Sequence, residues 1–207
     1  MIPREAQKEL LNLSKQYKAI AVIGSRQSGK TTLVKLVFPD KPYVNLENLD
    51  IRNFALEDPK AFLEQYSDGA ILDEVQRTPK LFSYLQQILD ESNETAQFIL
   101  TGSNNFLLQQ NITQSLVGRV GYLNLLPFSL SEIKNIVPRT IHEKIFKGFY
   151  PPLYDKRFET QKWFLNYIKT YIERDVRELK GIENLVVFER FVKLCAGRIG
   201  QLLNKNA

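Results

Sequence analysis

Residues 24–31 read Gly-Ser-Arg-Gln-Ser-Gly-Lys-Thr, a complete G-x-x-x-x-G-K-[ST] run. No other stretch restricts the fold as much. Gly24 and Gly29 let the backbone turn so that its N–H groups point inward at an anion. A helix that starts just behind the loop adds the positive end of its dipole. The run therefore requires a buried strand before it and a helix after it. Both are present: 18–23 (KAIAVI) is a short apolar run, and 29–37 has helical periodicity. The expected ligand is a phosphate chain cradled by Gly24, Ser25, Arg26, Gln27, Ser28, Gly29, Lys30, Thr31 and Thr32. Lys30 reaches the β- and γ-phosphates, the Thr31 hydroxyl ligates magnesium, and Thr32 serves the α-phosphate.

The rest of the chain alternates. A helix is expected over 4–16, strands over 42–46, 70–73, 97–101 and 120–126, and helices over 59–66 and 79–91. Asp58-Pro59 and Thr78-Pro79 each set a capping side chain before a proline at the first helical position. Ser129 and Glu132 have capping-box spacing. Strands alternating with helices imply an α/β fold, a parallel sheet covered on both faces. Beyond about residue 158 the pattern changes to two long helices, 160–179 and 186–203, with no strand between. The domain boundary is therefore drawn at 130, with a core over 1–130 and a helical segment over 131–207.

Two clusters join the loop. The run 71–74 (ILDE) ends a strand, and in parallel sheets ligands sit at the carboxyl ends of strands. Asp73 there can hold magnesium, and Glu74 can take a proton from an attacking water. After the strand 97–101 come Ser103 and Asn104. If that strand lies between the loop strand and the acidic strand, they can orient the water or touch the γ-phosphate; Ser and Asn also suit a helix N-cap, and one side chain can do both.

Composition excludes several classes. Apolar residues are 43% and charged residues 25%, a globular balance. No apolar run approaches the roughly 18 residues of a membrane helix. The N-terminus, MIPREAQKELL, carries charges where a secretory signal needs apolar residues, so a cytoplasmic location is expected. One cysteine and one histidine, Cys195 and His142, cannot build a zinc cluster. His142 is expected at the surface and Cys195 as a small buried apolar residue. Trp163, Tyr167 and Tyr171 have helical spacing, which favours packing over base stacking. The net charge of +5 is uneven: 1–130 carry 13 basic and 14 acidic groups, whereas 131–207 carry 15 and 9. That basic third is a candidate surface for DNA or a protein.

Taken together, IPR at 2–4, GSRQSGKTTL at 24–33, YVNLEN at 43–48, ILDEVQ at 71–76, LTGSNNFLL at 100–108, SLVGR at 115–119, LPFSLSE at 126–132 and YIERDV at 171–176 resemble the AAA+ branch of P-loop ATPases. More closely, the chain is similar to bacterial and archaeal ATP-binding proteins with an AAA domain followed by a C-terminal domain of unassigned function. The resemblance implies a three-layer sandwich around a five-stranded parallel sheet, with ATP and Mg2+ at its edge. It makes Lys30, Thr31, Asp73 and Glu74 the phosphate and hydrolysis residues, with Ser103 or Asn104 as the first sensor. It also implies an arginine acting on the γ-phosphate across a subunit interface, Arg119 as first choice and Arg174 as second. In such proteins the helix resembling FERFVKLCAGRIGQLLN continues into a winged-helix-like module. The chain stops at Ala207, so the segment after 130 is expected to be a truncated start of it.

The function expected is ATP hydrolysis that drives or times a conformational change. The alternatives are a nucleotide-dependent interaction switch, or a nucleic-acid-binding regulator with little turnover. A guanine specificity is disfavoured, because the one Asn-Lys pair, Asn204-Lys205, comes too late for an N-K-x-D sequence. Expected partners are ATP and a second copy of the chain, without a membrane.

Overall fold

Five short apolar runs become strands: β1 (Ala19–Ile23), β2 (Tyr43–Asn45), β3 (Ala70–Asp73), β4 (Phe98–Gly102) and β5 (Val120–Asn124). They form one sheet of order β2-β3-β4-β1-β5, and every neighbouring pair is parallel. The computed structural model describes residues 2–103, 105–136, 140–156, 158–171 and 184–201, with the backbone alone for 105–107. The helices of the first compact unit, which runs to residue 157, are α1 (Ala6–Leu13), α2 (Lys30–Val37), α3 (Leu49–Glu57), α4 (Pro59–Glu64), α5 (Leu81–Glu91), α6 (Asn105–Ser115), α7 (Leu130–Ile133), α8 (Ile141–Lys147) and α9 (Pro152–Asp155).

The central strands are buried on both faces, so their apolar runs are continuous. Successive side chains still divide between faces. In β1, Ala19, Ala21 and Ile23 join a core with Phe62, Phe82, Leu85 and Phe98. Ile20 and Val22 face the other way, toward Leu10, Leu33, Val34, Ile71 and Ile99. The result is a three-layer sandwich, α1 and α2 on one face and α3 to α6 on the other. Each fully buried Leu, Ile or Phe contributes roughly 1.5–3 kcal/mol.

Local signals account for several ends. The Asp58 carboxylate accepts from Ala61 N at 2.9 Å, with Pro59 behind it. The Ser129–Glu132 capping box is present. Thr78 departs from the expected cap: its hydroxyl donates back to Val75 O within a short 3-10 turn, and α5 starts at Leu81. The periodicity missed α3, whose start is marked by Asn48, its side chain accepting from Asp50 N and Ile51 N. It also missed α8, which has a Thr140–Glu143 capping box.

The division of the chain falls later than the expected boundary at 130. The helices α7, α8 and α9 belong to the first unit, and the compact units divide between 157 and 158. The second unit contains α10 (Thr160–Tyr171) and α11 (Leu185–Gly197). On α10, Trp163 and Tyr167 stack with ring centroids 5.0 Å apart, and Tyr167 and Tyr171 lie parallel at 6.4 Å. Trp163 is buried and Tyr171 is exposed. His142 is at the surface, as expected. Cys195 is not buried, contrary to expectation: it is exposed on α11, which has no buried side chain among its described residues. Apolar spacing marks a helix face; burial needs a second element over it. Among the described residues no helix is long and apolar enough to cross a membrane.

Candidate functional site

The loop 24–29 leaves the carboxyl end of β1 through three positive-φ positions. Gly24 has φ +148° and Gly29 +94°, with Gln27 at +59° between them. A Cβ on Gly24 would meet Leu125 O at 2.2 Å, so only glycine fits beside the end of β5. Gly29, left-handed, is the N-cap of α2 and aims the first turn of that helix at the loop. Lys30 is almost fully buried, its Nζ donating to Gly24 O at 2.8 Å and Ser25 O at 2.9 Å. The Ser25 and Ser28 hydroxyl oxygens are also buried, with no hydrogen-bond partner among the described residues. Buried polar atoms of that kind point to a polar guest.

The sheet register brings the acidic residues to the loop. Asn45, Asp73, Thr101, Val22 and Leu123 lie in one row across the five strands, two residues before Gly24. β4 does lie between β1 and β3, the condition on which the reading of its polar tip depended. Thr31 Oγ1 donates to Asp73 Oδ2 at 3.0 Å. Tyr43 OH donates to the same oxygen at 2.6 Å, and Thr101 Oγ1 to Oδ1. Burial, and then the bond to Asp73, push the Tyr43 phenol well above its ordinary range, which keeps it a proton donor. The Thr31 hydroxyl and the Asp73 carboxylate are hard oxygen donors side by side, a set that suits magnesium shared with phosphate oxygens.

Glu74 turns out of the sheet with φ +57°, a left-handed conformation uncommon outside glycine. Its Oε2 accepts from Ser103 Oγ at 3.1 Å and from Gln76 Nε2. On the rim, Glu47 Oε1 lies 3.8 Å from both Arg26 and Arg77. The structure thus brings together the loop, Lys30, Thr31, Asp73, Glu74 and Ser103. Asn104 and Arg174 lie outside the described residues. Arg119 is not brought to this loop. Its carbonyl accepts from Ala19 N at the opposite end of β1, roughly 16 Å away at 3.3 Å per residue. Its guanidinium binds Asp90 two-pronged, with Nη2 to Oδ2 at 2.9 Å, and holds that carboxyl below the usual range.

Sequence reasoning gave no role to Tyr43, Thr101, Gln76 or Glu47. For Tyr43 and Thr101 that information lies in register and strand order, which are not local, whereas Gln76 meets Glu74 through the turn after β3. Arg4 was also missed as a structural clamp. Its guanidinium donates to Ser28 O at 2.7 Å, Leu126 O at 2.6 Å and Glu132 at 3.1 Å, and lies over the Phe128 ring. The Arg4 and Glu132 side chains are only 10% and 4% exposed. Arg4→Ala is expected to cost about 3 kcal/mol by urea unfolding, because it leaves the buried Glu132 carboxylate with its Glu5 and Ser129 backbone donors but without its counter-charge.

A family model described as an AAA domain matches residues 16–134. The chain belongs to the AAA domain family. A second model, a domain of unknown function (DUF8612), matches 138–207, beyond the AAA domain. The chain is 29% identical over 179 residues to two uncharacterized mycobacterial proteins, Rv2008c of Mycobacterium tuberculosis and Mb2031c of Mycobacterium bovis. The match takes in 85% of this chain and 40% of theirs, so the chain spans well under half of those relatives. Among solved structures it resembles the Walker-type ATPase PABY2304 of Pyrococcus abyssi, with TM-score 0.58 and 16% identity over 94% of this chain and 78% of that one. At that identity the likeness supports the P-loop ATPase fold of this AAA domain.

Proposed function

We propose that the chain binds ATP with magnesium and hydrolyses it, using the turnover to drive or time a conformational change. The observation that carries this reading is the convergence of Lys30, Thr31, Asp73, Glu74 and Ser103 on one loop at the carboxyl edge of the sheet. Lys30 would exchange its loop carbonyls for β- and γ-phosphate oxygens. Thr31 and Asp73 would hold magnesium, which when bound neutralises charge on the phosphates. Glu74 would accept the proton of a water whose oxygen attacks the γ-phosphorus as the bond to ADP breaks. Ser103 would keep that carboxylate aimed. The adenine would lie against the start of α2, in a small hollow whose lining includes Ile2, Leu36, Phe128 and Pro151, with Arg4 and Asp155 also beside it.

Arg119 sits too far from its own loop to serve it, and so would act in trans on a second copy. Magnesium-dependent phosphate release, measured with and without DNA, tests the reading; no release in either case would leave a nucleotide-dependent switch. Stimulation by DNA would support a nucleic-acid partner. For the trans arginine, specific activity is expected to rise with protein concentration. Mixing Arg119→Ala with Lys30→Ala chains is then expected to restore activity at the mixed interface. Activity independent of concentration, with no recovery on mixing, would rule the arginine out.

A further inference from the structure

Resting on the reading of Asp73 as the magnesium carboxylate, we propose that Tyr43 is a positioning residue of the metal site. Its phenol O–H sets the plane of the Asp73 carboxylate and so raises the affinity for a nucleotide-bound divalent cation. Tyr43 pairs in register with Ile71, and Asp73 is two residues farther along the same strand. Residues two apart share a sheet face, so the tyrosine and the aspartate point to the α2 side together. From there the phenol reaches diagonally to Oδ2, at 2.6 Å.

The geometry around the carboxylate is complete on both oxygens. Oδ2 accepts from Thr31 and Tyr43, and Oδ1 accepts from Thr101. The three donors come from α2, β2 and β4, so the carboxylate is held from three sides. Of these donors, Thr31 is the one whose oxygen would also meet the cation. Tyr43 and Thr101 have no such second duty, and they fix the rotation about the Asp73 Cβ–Cγ bond. The tyrosine is itself held. Lys35 Nζ lies 3.3 Å from its ring centroid, and Lys35 is one helical turn beyond Thr31 on α2. One helix face therefore presents a hydroxyl to the carboxylate and a cation to the ring of the residue that orients it. This gives a role to the first residue of the 43–48 run.

Partners that orient a metal ligand typically set metal affinity by about 10- to 100-fold. Tyr43→Phe keeps the ring beneath Lys35 and removes only the donor, so the fold is retained and the thermal midpoint stays near that of the wild type. The test uses the full chain. Free manganese(II) is followed by electron paramagnetic resonance as it titrates the protein–ADP complex, and ADP binding is measured by calorimetry in EDTA. Tyr43→Phe is expected to weaken manganese binding about tenfold or more while leaving ADP affinity in EDTA unchanged. In turnover, half-saturation by magnesium rises and kcat returns at saturating magnesium. Manganese affinity equal to the wild type overturns the role of Tyr43 and leaves Asp73 as the metal residue. A parallel fall in ADP affinity in EDTA also overturns it, as general damage to the site. A wild-type protein that binds ADP but no manganese overturns both readings.

Discussion

Lys30→Ala is expected to weaken ATP binding by several kcal/mol, read by calorimetry in the presence of magnesium. The ammonium is the one side-chain cation buried within the loop, where its Nζ already donates to the Gly24 and Ser25 carbonyls. Those two bonds show where the group sits and what it would exchange. A bond from a charged donor to a phosphate oxygen is worth roughly 1.5–3 kcal/mol net, and this group would make two of them in a buried, low-dielectric place. A loss of about 3 kcal/mol alone raises Kd more than a hundredfold. Because Lys30 also ties the loop to itself, unfolding of the variant without nucleotide should be measured beside the titration. A small loss of stability with a large loss of affinity assigns the effect to phosphate. Unchanged affinity would move the nucleotide site elsewhere.

Glu74→Gln is expected to keep ATP affinity and lose on the order of a hundredfold or more in turnover. The backbone at 74 is left-handed, and glutamine bears that conformation as glutamate does, so the substitution adds no strain. The amide oxygen can still accept from Ser103, which keeps the side chain aimed. Only the capacity to take a proton is removed. Single-turnover phosphate release with saturating ATP separates the two effects. Turnover that survives intact would place the base on another residue.

The two variants act at different distances in sequence from the motif that located the site. Lys30 lies within eight contiguous residues, and its place follows from local chemistry: two glycines that tolerate positive φ, a strand before and a helix after. The same locality made the Asp58 and Ser129 caps legible, since a cap and its acceptor are three residues apart. Asp73 and Glu74 were found because they end an apolar strand. What holds them was not legible. Thr101 is in register with Asp73 because β4 lies beside β3, and Tyr43 reaches it because β2 is the edge strand next to β3. Gln76 faces Glu74 because of the turn after β3.

What the sequence left open or misplaced has the same origin. Arg119 stands near the fifth strand in sequence, and only the direction of that strand puts it at the far end of the sheet. The spacing around Cys195 marks an apolar helix face, yet that residue is exposed. By itself the sequence determined what depends on neighbours along the chain: the loop, the strand and helix periods, the caps, and the two acidic residues at a strand end. The tertiary structure decided what depends on neighbours across it. Strand order and register set which hydroxyls meet Asp73, which side chains hold Glu74 and how far Arg119 lies from the loop. Apart from the local Gln76–Glu74 bond, those contacts join residues far apart in the chain, such as Tyr43 with Asp73, and Arg4 with Glu132. Hydrogen bonds at 2.6–3.1 Å are decided by where two backbones come to rest, and no periodicity within a single strand or helix encodes that.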